Sequence, residues 1–244
     1  MSQETEVFIR LEDGNDQTEL EKLRQLNKNL QEENQKLLAG LPKRGNPAVV
    51  GLAGFGATTL LLQFHNLGWI QFGTIVWLGL IFGGLAQLMA GLMEFVTGNN
   101  FGFCAFTSYG AFWITLSAIL ISKQAKLYEI SEEELGAFLL VFTIFTLLMW
   151  LGSARLNMAL FLTFTLLLIG FILLDVANLA HAPAVAKVAA VDLIACALGA
   201  WYCMCHIIFL EINKGKDVVP LGPSPYALLF ERKCKGVGSP PANS

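Results

Sequence analysis

Residues 46–66 read NPAVVGLAGFGATTLLLQFHN. The segment opens on Asn46 and Pro47, carries Gly51, Gly54 and Gly56, and meets no titratable side chain before His65. At 1.5 Å of rise per residue, a helix of this length spans about 30 Å, the thickness of a bilayer's hydrocarbon core. Five further apolar runs follow it, so helices that span the membrane are expected near 47–66, 70–95, 102–122, 134–152, 156–179 and 184–210. Composition agrees: 55% of the 244 residues are apolar and 14% charged, too greasy for a domain whose whole surface faces water.

The expected fold is therefore an all-α integral membrane protein with six transmembrane helices per protomer, preceded by a short cytoplasmic coiled-coil-like helix. Residues 1–44 form the N-terminal segment, 45–212 the membrane domain and 213–244 a polar, Pro- and Gly-containing C-terminal tail. No cleavable signal peptide is expected, because the residues before Pro47 are polar and the first span serves insertion. Six spans put both termini on one side. Lys43, Arg44, Arg155, Lys214, Lys216, Arg232, Lys233 and Lys235 fall on that side against Lys123, Lys126 and Lys187 on the other, so both ends are expected to be cytoplasmic in a plasma membrane protein.

In TELEKLRQLNKNLQEENQKLLAG (18–40) a heptad places Leu20, Asn27, Asn34 and Leu41 at a, with Leu23, Leu30 and Leu37 at d. Two readings stand: a weak self-associating coil, in which Asn at a favours pairs, or a lone charged helix.

The spans carry polar groups in a pattern. Gly79, Gly83, Gln87 and Gly91 recur every fourth residue and lead to Glu94. Tight helix contact explains the glycines; Gln87 and Glu94 at such depth call for a partner or a wet cavity. Glu94 is the first candidate for proton coupling, with Asp175 and Asp192 behind it. The third span holds Thr107, Ser108 and Tyr109 in a row, and a hydroxyl alone is often satisfied by its own helix. The first, third and fifth spans share an Asn near the start (Asn46, Asn99, Asn157) and an aromatic two to three turns later (Phe55, Tyr109, Phe164), a threefold pattern of helix pairs. Thr58, Gln87 and Thr163 add polar groups along the same path, and His65 with Asn66 closes its far rim. His65 reads equally as a pH-sensitive substrate ligand or as a side chain capping a helix end.

Such residues describe a pathway without fixed charge. Amides and hydroxyls can bind a carboxylate or replace part of a hydration shell, and Phe55, Tyr109 and Phe164 would form a hydrophobic constriction. The five cysteines (Cys104, Cys196, Cys203, Cys205, Cys234) are odd in number and read as reduced thiols. Cys203, Cys205 and His206 do not converge on one point of a helix, so neither metal nor cofactor is expected. No nucleophile-elbow, paired-His or phosphate-loop motif is present, which argues against an enzyme, and a nucleic-acid partner is not expected. Two rivals remain: a channel for ammonia, ammonium or another small neutral solute, and a non-transporting scaffold or receptor.

NPAVVGLAGFGATTLLLQFHN (46–66), FGGLAQLMAGLMEF (82–95) and GNNFGFCAFTSYGAFW (98–113) together resemble the three signature stretches of the acetate uptake transporter family, whose members include bacterial succinate-acetate permeases and fungal acetate and ammonia-export proteins. The resemblance runs from about Gly45 to Gly222. It implies a six-helix protomer, a homo-hexamer, and acetate or succinate passing through a pore in each protomer by a channel or proton-coupled route. It also implies a constriction at Phe55 and Tyr109, with Phe164 at the position where the family has Leu. The family's first motif usually reads Asn-Pro-Ala-Pro-Leu-Gly-Leu; here Val49 and Val50 replace its fourth and fifth residues. A bulkier gate at Phe164 is expected to favour acetate over succinate.

Overall fold

Three asparagines start three of the helices. Asn46 Oδ1 accepts the N–H of Ala48 at 3.0 Å, Asn99 Oδ1 that of Gly102 at 3.1 Å, and Asn157 Oδ1 that of Leu160 at 2.9 Å. Each bond satisfies a first-turn amide that the helix itself leaves without a partner. In the computed structural model, which describes residues 17–39 and 45–231, these asparagines precede α2 (Ala48–Asn66), α4 (Asn100–Gln124) and α6 (Met158–Leu179). Pro47, just before α2, sits at φ −63°, where a missing N–H costs nothing.

The return helices begin differently. α3 (Gly73–Thr97) ends on Gly98, at φ +80°, in the left-handed conformation that glycine accommodates. Its stretch Gly79–Ala86 is π-helical. α5 (Glu132–Ser153) opens with a capping box between Ser131 and Glu134, and α7 (Pro183–Ile212) starts on a proline. All six, α2 to α7, are long and apolar enough to cross a membrane, and no strand occurs among the described residues.

Taken by itself, α1 (Gln17–Ala39) is one continuous helix on which Leu20, Leu23 and Leu30 are exposed. Leu41 lies outside the described residues.

α2 packs between α3 and α7, α3 against α4, and α5 against α6, which in turn packs on α7. Between α4 and α5 the backbones touch little, and side chains bridge the gap: Phe112 stacks on Phe138 at 5.3 Å and meets Phe142 edge-on at 4.8 Å. The six helices thus close into a ring in which α2, α4 and α6 run one way and α3, α5 and α7 the other.

Glycine makes the closest approaches. A Cβ on Gly54 would lie 2.5 Å from the Phe82 carbonyl in the π-helical stretch of α3, and one on Gly56 2.5 Å from the Trp201 ring of α7. On α3, Gly83 faces Thr58 and Gly79 faces Ser117, while a Cβ on Gly91 would lie 2.5 Å from the Thr107 amide nitrogen. In lipid, where helices gain nothing by leaving water, such contact is the main source of association. Gly91→Ala is therefore expected to destabilise the protein by about 1–3 kcal/mol, although alanine is the better helix former. Gly73→Ala, with nothing within 4 Å of its Cβ, should leave the unfolding midpoint in mild detergent unchanged, and equal midpoints for the two variants would refute the packing argument.

Candidate functional site

Because α2, α4 and α6 run parallel, their three patterned aromatics arrive at one level. The Phe55 and Tyr109 rings lie 5.9 Å apart, and Tyr109 and Phe164 6.4 Å apart. All three are buried. They floor a cavity of about 230 Å³ that lies at the end of the bundle where α2, α4 and α6 begin and α7 finishes. That volume falls below the roughly 300–1,000 Å³ of sites for drug-sized ligands, so it suits a solute of few heavy atoms.

Apolar side chains make most of the wall, among them Leu52, Phe101, Leu160 and Leu167. Its polar contributions are Gln87, Asn99, Asn157, Thr163 and Cys203, and among the described residues no Lys, Arg, Asp or Glu lines it. These groups differ in what they have left to offer. Thr163 donates its hydroxyl to Ala159 O of its own helix at 2.9 Å. Asn99 and Asn157 use their oxygens as helix caps. Gln87 is fully buried, and neither atom of its amide has a hydrogen-bond partner among the described residues.

Glu94 stands behind this wall. Its Oε2 accepts from Asn99 Nδ2 at 2.7 Å and lies 3.4 Å from Thr97 Oγ1. The carboxyl thus fixes the amide whose oxygen starts α4, across the glycine turn from α3.

The other residues singled out by sequence lie elsewhere. Asn46 is exposed in the turn that starts α2 and does not line the cavity. Thr107 donates to Phe103 O within its own helix, and Ser108 is half-buried away from the cavity. Thr58 is buried against Gly83. His65 and Asn66 occupy the opposite end of the bundle, where His65 Nδ1 bonds Ile70 O at 2.9 Å with its ring on Phe72, and Asn66 Nδ2 donates to Gln63 Oε1 at 2.9 Å.

Two features of the site carry no sequence signal. Tyr109 OH is 2.8 Å from Thr146 Oγ1 of α5, which pins the ring at the floor. The chain after α7, expected as a tail, folds back to 231: Leu221 lines the cavity and accepts from Ala159 N–H at 2.9 Å, Tyr202 donates to Pro220 O at 2.7 Å, and the Arg155 guanidinium sits 4.1 Å over the Tyr226 ring. Val218, Val219 and Leu221 give this polar stretch an apolar edge, which explains why it docks.

The profile of the GPR1/FUN34/yaaH family matches residues 32–215. The chain belongs to this family. Among curated GPR1/FUN34/yaaH relatives, the succinate-acetate/proton symporter SatP of Escherichia coli is 39% identical over 187 residues, covering 76% of this chain and 99% of the relative. Acetate permease A of Emericella nidulans is 34% identical over 179 residues, 66% of this chain and 60% of the permease. Ammonia transport outward protein 2 of Saccharomyces cerevisiae is 33% identical over 173 residues, 67% of this chain and 61% of that one. A solved structure of the bacterial acetate channel SatP superposes with a TM-score of 0.71 at 39% identity, over 74% of this chain and all of the channel. The family resemblance carried by the three quoted stretches is thus confirmed, as is the six-helix fold.

The Glu94 carboxyl gives the site its testable joint. Glu94→Ala removes the part-buried bond to Asn99 and is expected to cost about 0.5–1.5 kcal/mol, the range for a typical intramolecular hydrogen bond. A thermal midpoint equal to that of the parent protein would show that the Glu94–Asn99 bond does not hold the turn.

Proposed function

We propose that this protein transports acetate, and with it other small monocarboxylates, through a pathway in each protomer. The observation that carries the proposal is Gln87: a fully buried amide with no protein partner, on the wall of a small cavity that has an aromatic floor and no charged side chain. Likeness to an acetate channel, an acetate permease and a succinate-acetate symporter supports the same reading.

Three helices present their N-terminal ends, and hence positive partial charge, toward the cavity end of the bundle, which draws an anion in. The Gln87 and Asn157 amides offer N–H donors to its carboxylate, while the methyl group fits against Phe55, Tyr109 and Phe164. No lining cation holds the anion once it is bound, so release stays fast. Passage through the floor strips water, which selects the smallest and least charged species. A dicarboxylate carries a second charge to this step, and Phe164 narrows it further.

The protein works as a transporter rather than an enzyme, in the plasma membrane, as a homo-hexamer with residues 1–44 and 213–244 cytoplasmic. The Lys/Arg imbalance between the two sides supports this orientation, and the family resemblance supports the hexamer. Pairing of α1 between protomers fits its heptad.

Uptake of labelled acetate into proteoliposomes, measured against protein-free vesicles, tests the reading. Acetate flux above the control is expected, competed by unlabelled acetate. Ammonia flux that acetate does not compete, with no acetate flux, would move the protein to the ammonia reading, and absence of both to a scaffold. Phe164→Leu is expected to raise the succinate-to-acetate uptake ratio by about fivefold, equivalent to ~1 kcal/mol. An unchanged ratio removes Phe164 from selectivity.

A further inference from the structure

Away from the cavity lies a buried carboxyl that the transport pathway leaves without a task. Asp175, one turn beyond Phe171 in α6, is 7% exposed. Its Oδ2 lies 2.6 Å from Thr143 Oγ1 of α5, and its Oδ1 is buried with no hydrogen-bond partner among the described residues. Thr143 Oγ1 also lies 3.2 Å from the Leu139 carbonyl of its own helix.

A hydroxyl has one proton to give. If Asp175 is ionised, Thr143 serves either the carboxylate or the Leu139 carbonyl. If Asp175 is protonated, it donates to Thr143 and Thr143 donates to Leu139, so both contacts become hydrogen bonds. The proton count therefore favours a site that holds a proton.

No neighbouring cation offers another way to neutralise the group. α6 has no second ionisable side chain. On α5 the ionisable groups are Glu132, Glu133 and Glu134 in its exposed first turn, the first two within 3.1 and 3.2 Å of His181. The near half of α7 brings Lys187, exposed, Asp192, which faces Gly170 and whose Oδ2 is likewise buried without a hydrogen-bond partner among the described residues, and Cys196, whose thiol bonds Thr163 O. α4 reaches α6 here through Phe112 and Phe171, and its only charged group at this end is the exposed Lys123.

Thr143 shares a face of α5 with Thr146, three residues on, and Thr146 holds the Tyr109 hydroxyl at the cavity floor. We infer that Asp175 is a proton-binding site of the transport cycle, loaded from the end of the bundle opposite the cavity and felt at the aromatic floor through the Thr143 and Thr146 face of α5. The inference rests on the transport reading for its role, but not for the proton itself.

Two readouts on the reconstituted parent, Asp175→Asn and Thr143→Val proteins test it. The infrared C=O stretch of a protonated carboxyl, followed against pH, reports the proton; labelled-acetate uptake with and without an inward proton gradient, at fixed membrane potential, reports its use. The expected band titrates in the parent, loses its Asp175 component in Asp175→Asn, and has that component at higher frequency in Thr143→Val, where the acid has no hydroxyl to donate to. Stimulation of uptake by the gradient should fall to unity in Asp175→Asn. A titrating band of unchanged amplitude in Asp175→Asn, or gradient stimulation equal to the parent's, overturns the inference. Should Asp175→Asn fail to fold, an unmoved band in Thr143→Val overturns it instead. If the parent moves no acetate, the transport reading fails on its own, and the infrared band alone decides whether Asp175 binds a proton.

Discussion

Helices in a bilayer cannot rely on hydrophobic burial to find one another, so everything in this molecule depends on how closely α2 lets its neighbours come. Gly51, Gly54 and Gly56 face Phe106 of α4, Phe82 of α3 and Trp201 of α7, one partner each. Trp201 reinforces the last of these by donating its indole N–H to Ala53 O at 3.3 Å. With three partners seated on a single helix, the aromatic of each forward-running helix is brought to the same depth. The cavity follows from this packing: the rings interlock at the floor, and between it and the bundle end the first turns of the forward helices border a small space.

Much of this was legible in the sequence because it is periodic. Apolar run lengths gave six spans whose ends differ from the observed ones by at most three residues. Recurrence of Asn and an aromatic in alternate spans grouped Phe55, Tyr109 and Phe164, which the fold brings together, and the fourfold spacing of Gly79, Gly83 and Gly91 marked the contact face of α3. Polar residues were harder to sort. Thr107 and Thr163 both serve their own helices, yet only the second lines the cavity, and Thr58 turns toward a glycine. A hydroxyl's direction depends on the rotation of its helix within the ring, which the local pattern does not encode.

Interactions across the ring were not legible at all. Tyr109 and Thr146 are 37 residues apart, and Asp175 and Thr143 are 32 apart. Neither threonine stands out in an apolar run such as that of α5. Glu94 did stand out, as a carboxyl ending a small-residue stripe; its Oε2 meets Asn99 just across a glycine turn, while its Oε1 is buried without a hydrogen-bond partner among the described residues. The same reasoning separates the two ends of α2: Asn46 and His65 look equally functional in the sequence, and each is occupied by backbone groups of its own turn.

The returning segment after α7 breaks the threefold likeness of the forward helices. α2, α4 and α6 each have a first-turn amide capped by an asparagine, but α6 alone also gives the N–H of Ala159 to the chain's own Leu221. One of three similar helix starts thus has a further amide satisfied by peptide, and Leu221 covers its side of the mouth. The cavity mouth is therefore lopsided, bordered by the starts of α2 and α4 on one flank and by a hydrocarbon wall on the other.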